Sequence, residues 1–164
     1  MSIIYKSKRI GKNGKPFWLY KFRTLMDNID KTSSFAQQDQ YVKFGKFLRK
    51  TKIDELPQLI NWIKGDINFF GYRPEEERAW NILPSEIREI LSKNKPGIID
   101  LSSLHFYDEE TLLQVGDANK TYWEVIRPMK LTLQMFYSEN RCWILNLAII
   151  YIYFRKALKS LWKK

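Results

Sequence analysis

The chain has 164 residues, 45% of them apolar and 15% aromatic, and carries a formal net charge of +10. That composition excludes a disordered segment and gives one domain's worth of core, with no Gly/Ser-rich or Pro-rich tract to act as a linker and no internal repeat. One cysteine permits no internal disulfide and one histidine no histidine-based zinc site, a usage that fits a reducing cytoplasm.

The positive charge lies in blocks: seven cations and no acid from Lys6 to Arg23, five and none from Lys43 to Lys52, five and none from Arg155 to Lys164. Such blocks ask for anionic partners, and lipid, nucleotide phosphate and nucleic acid are equal on charge alone. The acidic run Glu75-Glu76-Glu77 argues against a uniformly basic coat. With no zinc-ligand pattern, RNA-recognition signature or basic heptad array, a nucleic-acid partner is not expected.

In chain order, Ser2 to Tyr5 and Phe17 to Phe22 are β-prone and enclose the turn signal Gly11-Lys12-Asn13-Gly14, which predicts an N-terminal β-hairpin. A helix is expected over Gln40 to Arg49, with Phe44, Phe47 and Leu48 on one face. The next begins at Asp54 as N-cap, with Pro57 in its first turn, an apolar stripe of Leu56, Leu59, Ile60 and Ile63, and a stop at Gly65. Further helices are expected from Pro84-Ser85 to Asn94, over Tyr122 to Tyr137, and from Arg141 to Lys164. The fold class is therefore α+β, a mostly helical single domain over residues 1–164 with a small hairpin and amphipathic or interfacial helices.

Within the last helix, Trp143 to Phe154 is apolar apart from Asn146 and is followed by Arg155, Lys156 and Lys159. Twelve helical residues reach only about 18 Å against a hydrocarbon core of about 30 Å, so this run cannot span a bilayer. It can be core, or it can lie in the interface with its aromatics and terminal cations as anchors. Cys142 beside it reads as buried and inert, and His105 as structural or surface, since no partner motif surrounds it.

The chemistry concentrates between Lys43 and Pro74, where Asp54-Glu55 stands at a helix start amid cations. Paired carboxylates there can act as nucleophile, base or metal ligand toward a phosphate, while Lys52 and Arg73 neutralise charge. Cations must be local, because a carboxylate 4 Å from another unit anion is repelled by roughly 4 kcal/mol at an effective dielectric of 20. Gly65 and Gly71 would let backbone approach a ligand closely. The plainer reading is ordinary helix capping by Asp-Glu-x-Pro, with Lys21, Arg23 and Lys52 as solvated charges and Arg73 fixing a turn before Pro74.

Several motifs nonetheless occur together: Lys21-Phe22-Arg23-Thr24, Asp54-Glu55-Leu56-Pro57-Gln58, Tyr72-Arg73-Pro74 and Lys95-Pro96-Gly97-Ile98. In that order they resemble the bacterial sugar transferases, the monotopic phosphoglycosyl transferases that load a sugar phosphate onto polyprenyl phosphate. The resemblance runs from Arg9 to Asn140. It implies that Asp54 is the nucleophile that attacks a nucleoside diphosphate sugar, a UDP-sugar by analogy, forming a phosphosugar ester and releasing a nucleoside monophosphate. It implies that Glu55 orients Mg²⁺ or deprotonates the acceptor phosphate, both carboxylates being metal ligands, and that Lys21, Arg23 and Arg73 bind substrate phosphate. Nucleotide sugar, polyprenyl (undecaprenyl) phosphate and an anionic membrane surface are the implied partners, at the cytoplasmic face of the bacterial inner membrane.

The sequence departs from the family pattern in three places. The first proline of Pro-Arg-Pro is Tyr72; Pro-Gly-Ile-Thr-Gly reads Pro96-Gly97-Ile98-Ile99-Asp100, with Ser103 where a glutamine is usual; and no re-entrant membrane helix precedes Lys8-Arg9 in these residues. Either these residues are part of a longer chain that carries the helix, or attachment runs through the basic blocks and the Trp143 to Trp162 segment. A catalytically impaired membrane-surface or partner-binding relative is the rival reading, against which the intact Asp54-Glu55 pair argues.

Overall fold

The computed structural model describes residues 2–26, 41–106 and 117–162, with side chains as far as residue 156. The hairpin forms where turn chemistry and β-propensity agree. Strand β1 (Ile4–Ile10) pairs antiparallel with β2 (Pro16–Phe22), from Ile4 opposite Phe22 to Ile10 opposite Pro16. Asn13 and Gly14 take the left-handed conformation that reverses the chain (φ 58° and 71°). The first strand is longer than the sequence suggested, because pairing with β2 carries the polar stretch Lys6 to Arg9 into the ladder.

Helix α1 (Gly45–Lys50) is shorter than expected, and the anticipated start at Gln40 lies outside the described residues. A 3-10 turn, Ile53–Glu55, leads into α2 (Gln58–Ile63), and Asp54 lies inside that turn, its side chain making no cap hydrogen bond. The N-cap assignment is corrected accordingly: the break in the chain occurs earlier, at Lys52, whose φ of 59° cannot continue a right-handed helix.

The face of α2 is also the reverse of a core helix. Gln58 and Asn61 are buried, Asn61 completely, while Leu56, Leu59, Ile60, Trp62 and Ile63 are exposed, Ile63 by 80%. Asn61 accounts for this: its Oδ1 accepts from Tyr20 N at 3.0 Å and its Nδ2 donates to Trp18 O at 2.6 Å and Asp66 Oδ2 at 3.0 Å. An edge strand with unpaired backbone groups recruits the polar side of the helix, and the apolar side is left facing out.

Strand β3 (Asn68–Phe70) pairs in parallel with β4 (Gly97–Ile99), the crossover carrying α3 (Glu77–Asn81) and α4 (Ser85–Ser92). At the end of this pair the two chains touch: a Cβ on Gly71 would lie 2.5 Å from Gly97 N, and Gly97 N donates to Tyr72 O at 2.9 Å. Gly71 thus serves contact between chain segments, and Gly65 closes α2 with φ 78°; neither role is the ligand approach anticipated from sequence.

Helices α5 (Leu101–His105), α6 (Ala118–Thr121), α7 (Arg127–Asn140) and α8 (Trp143–Trp162) complete the described fold, with a π-turn at Tyr122–Ile126 between α6 and α7. One core cluster gathers Ile10, Tyr72, Trp80, Leu83 and Leu91 between hairpin and crossover; another joins Leu104, Tyr137 and Ile149 with Phe70, Ile99 and Tyr153. Each such fully buried large side chain contributes on the order of 1.5–3 kcal/mol. Tyr72 is therefore core, and it fixes the backbone next to Arg73.

One face of α8 is core, with Ile149 buried, whereas Trp143, Ile144, Leu147, Tyr151 and Phe154 on its other faces are more than half exposed. Among the described residues no helix is long and apolar enough to cross a membrane. Cys142 is exposed, correcting the expectation of burial; it stands in the break before α8 rather than on a packed face. His105 is exposed too, its ring edge against Phe106.

Candidate active site

The left-handed Lys52 and the 3-10 turn after it, closed by Glu55 N to Lys52 O at 3.2 Å, place the two carboxylates in different surroundings. Glu55 turns toward the hairpin and the parallel strands. Its Oε1 accepts from Lys21 Nζ at 2.9 Å and from Arg73 Nη2 at 3.2 Å. Burial by itself would push Glu55 up, but Lys21 and Arg73 outweigh it and hold the carboxyl well below the usual carboxylate range. Asp54 takes the opposite course: burial first, then the neighbouring Glu55 charge, pushes its pKa up against Lys21, Lys52 and Arg49. Asp54 is 7% exposed, and among the described residues its Oδ1 has no hydrogen bond.

Arg73 follows β3 by three residues and Asp100 follows β4 by one, so the carboxyl ends of the parallel pair deliver both to one place. Arg73 Nη1 donates to Ser103 Oγ at 3.3 Å and lies 3.9 Å from Asp100 Oδ2. Asp100 caps α5: its Oδ1 accepts from Ser103 N at 2.7 Å and from the Ser102 hydroxyl, which in turn accepts from Gln134 Nε2 at 3.3 Å. A cavity of about 190 Å³ opens over these groups, with Lys52, Glu55, Arg73, Asp100 and Ser103 on its polar side and Leu56, Leu59, Phe69, Leu104 and Tyr153 on its apolar side. Because Leu56 and Leu59 belong to the outward face of the α2 segment and Tyr153 to α8, the cavity mouth is continuous with exposed apolar surface.

Of the candidate residues, Lys21, Glu55 and Arg73 meet directly. Asp54 sits beside them but does not line the cavity, and Arg23 goes elsewhere: its Nε donates to Ser2 O at 2.9 Å and its guanidinium lies over Tyr5. Strand alternation does put Lys21 and Arg23 on one face, yet β2 ends between them and their partners differ. Lys52, read from sequence as a solvated lysine, is half-buried and lines the cavity. Asp100 and Ser103, which in the sequence stand only as departures from the family motif, join the site as well. An Asp before Leu-Ser-Ser is a legible cap signal, but its approach to Arg73 depends on strand pairing.

For a divalent ion the donor set is sparse. Asp54 offers an oxygen without a hydrogen bond, Glu55 is already engaged by two cations, and no cluster of three metal-ligating side chains exists among the described residues. A Mg²⁺ here would have to rest on one or two carboxylates, with its remaining positions left to substrate phosphate and water.

Comparison with known proteins places this geometry in context. The sequence pattern of the bacterial sugar transferase family matches residues 1–160. The "uncharacterized sugar transferase EpsL" of Bacillus subtilis (strain 168) is 34% identical over 161 residues, covering 96% of this chain and 71% of the relative. The galactosyl transferase CpsE of Streptococcus agalactiae serotype III is 33% identical over 153 residues, 80% of this chain and 34% of the relative. The UDP-glucose:undecaprenyl-phosphate glucose-1-phosphate transferase of Escherichia coli (strain K12) is 36% identical over 115 residues, 66% of this chain and 25% of the relative. The chain thus spans about a third or less of the two longer relatives. It belongs to the bacterial sugar transferase family.

Proposed function

We propose that this chain transfers a phosphosugar from a nucleoside diphosphate sugar, a UDP-sugar, to polyprenyl phosphate of the undecaprenyl type, and so begins a membrane-borne glycan. The observation that carries the reading is the Asp54-Glu55 turn, with Glu55 clamped by Lys21 and Arg73, at a cavity whose mouth continues into exposed apolar surface. Names of relatives such as UDP-glucose:undecaprenyl-phosphate glucose-1-phosphate transferase supply the substrate classes.

In this reading an Asp54 carboxylate oxygen attacks the phosphorus that bears the sugar. The bond from that phosphorus to the bridging oxygen breaks, and the nucleoside monophosphate leaves with the electron pair. A phosphate oxygen of the acceptor then attacks the same phosphorus, the bond to Asp54 breaks, and the carboxylate is restored. Glu55 is a poor base, because a carboxyl held so far below neutral has little proton affinity at working pH. Its part is to hold Lys21 and Arg73 where the diphosphate arrives. Lys21, Lys52, Arg73 and Arg49 stand against Asp54, Glu55 and Asp100, a surplus of one positive charge that falls short of a diphosphate's own. Mg²⁺ on Asp54, with Glu55 beside it, would supply the missing neutralisation of the diphosphate.

The exposed faces of α2 and α8 suit the headgroup boundary of an anionic membrane, where the acceptor's phosphate lies, at the cytoplasmic leaflet in this reading. The test mixes the protein, Mg²⁺ and a panel of UDP-sugars with polyprenyl phosphate in detergent, and follows nucleoside monophosphate release and intact mass. Release that needs Mg²⁺ is expected, together with a phosphosugar adduct on wild type and none on Asp54→Asn. The adduct would also report that the Ile53–Glu55 turn presents Asp54 to the donor. Full turnover in excess EDTA, or an adduct on the Asn variant, overturns the assignment.

A further inference from the structure

We infer that Asp100 is a positioning residue for Arg73. The catalytic context rests on the function proposed above; the contact itself does not. Asp100 is almost fully buried, its side chain only 1% exposed, and its two oxygens have separate duties. Oδ1 is committed to the α5 cap, accepting from Ser103 N and the Ser102 hydroxyl. Oδ2 makes no hydrogen bond among the described residues and has Arg73 Nη1 as its salt-bridge partner at 3.9 Å.

A buried carboxylate oxygen without a partner is costly, and a phosphate ligand could not satisfy it, since like charges repel. A guanidinium can. Arg73 is itself 38% exposed and is gripped from two sides: Nη2 on Glu55 and Nη1 on Ser103, with Asp100 behind Ser103. When substrate phosphate draws Nη2 from Glu55, Ser103 and Asp100 keep the other arm of the fork in place, so the guanidinium keeps its orientation toward the phosphate. The anchor is rigid because Gln134 holds Ser102, which holds Asp100, and all three are buried.

The selective variant is Asp100→Asn. Asparagine keeps the cap oxygen for Ser102 and Ser103 and puts a neutral NH₂ in place of the charged oxygen that faces Arg73 Nη1. Two readouts follow. In ¹⁵N NMR of the full chain, the Arg73 guanidinium protons should exchange slowly in wild type and at least about 10-fold faster in Asp100→Asn, with the thermal midpoint little changed. With UDP plus Mg²⁺ as probe in calorimetry, Asp100→Asn should weaken binding about 10-fold in the wild-type background and by less than 2-fold in an Arg73→Ala background. A loss that persists undiminished without Arg73 would mean Asp100 acts on the fold or on the ligand directly, and overturns the inference. Unchanged Arg73 exchange does the same. Failure of wild type to bind UDP while the NMR effect stands would instead count against the proposed function and leave the positioning role supported.

Discussion

Replacing Lys21 by methionine tests the pairing on which the site is built. Lys21 and Glu55 lie 2.9 Å apart with side chains 17% and 14% exposed. At an effective dielectric of about 20 their attraction is at most about 6 kcal/mol. The second cation, Arg73 at 3.2 Å, is 38% exposed, so solvent screens it to about 1 kcal/mol or less. Lys21→Met therefore leaves a buried carboxylate with a weak partner, and unfolding at neutral pH should be easier by about 3–5 kcal/mol. Lys21→Met with Glu55→Gln removes both charges and should lie within about 1.5 kcal/mol of wild type, well short of the sum of the single losses. Because Glu55 is lowered in the folded state, its stabilisation is present above the ordinary carboxylate pKa of about 4.3 and is lost as pH falls below it. The gap between wild type and Lys21→Met should narrow in that direction. Urea denaturation at pH 7 and at stepwise lower pH, in a fixed low concentration of mild detergent, measures all three proteins. A single-variant loss under about 1 kcal/mol, or strictly additive losses, refutes the argument.

Three further outcomes are expected. Asp54→Asn should abolish turnover yet raise the thermal midpoint, since the raised pKa means the ionised carboxylate costs stability at neutral pH; calorimetry and product assay together read this, and a lowered midpoint contradicts it. For the same reason the Asp54 carboxyl in the metal-free protein should titrate above the ordinary aspartate value of about 3.9, read by carboxyl ¹³C NMR, and a midpoint at or below that value would show that burial and Glu55 do not govern it. Arg73→Lys should lose nearly as much kcat/KM as Arg73→Ala, because a point charge cannot reach Glu55 and Ser103 while also meeting phosphate; recovery to near wild type would make Arg73 a general electrostatic residue. Ile63→Lys, on the outward face of α2, should leave stability within about 0.5 kcal/mol but shift binding to neutral phosphatidylcholine liposomes by roughly 10-fold, and unchanged sedimentation would show that this face does not meet lipid.

Local chemistry made part of this molecule legible in advance. The hairpin follows from a Gly-Lys-Asn-Gly turn between β-prone runs, the Asp54-Glu55 pair and Arg73 stand out among cations, and the C-terminal run is too short to span a bilayer. Each depends on residues close in sequence. Periodicity likewise announced that α2 has an apolar side, but not which way it faces. That was decided by Asn61, whose amide is needed by the backbone of β2 more than the core needed Ile60 and Ile63. Tertiary pairing alone joined Lys21 to Glu55 across 34 positions and Arg73 to Ser103 across 30, sent Arg23 away to Ser2 and Tyr5, and brought Asp100 to the site through the register of β3 with β4. A charge in a sequence shows that an ion can be present; only the fold sets its distance to a partner and its exposure to water, and those two quantities determine both the pKa and the energy.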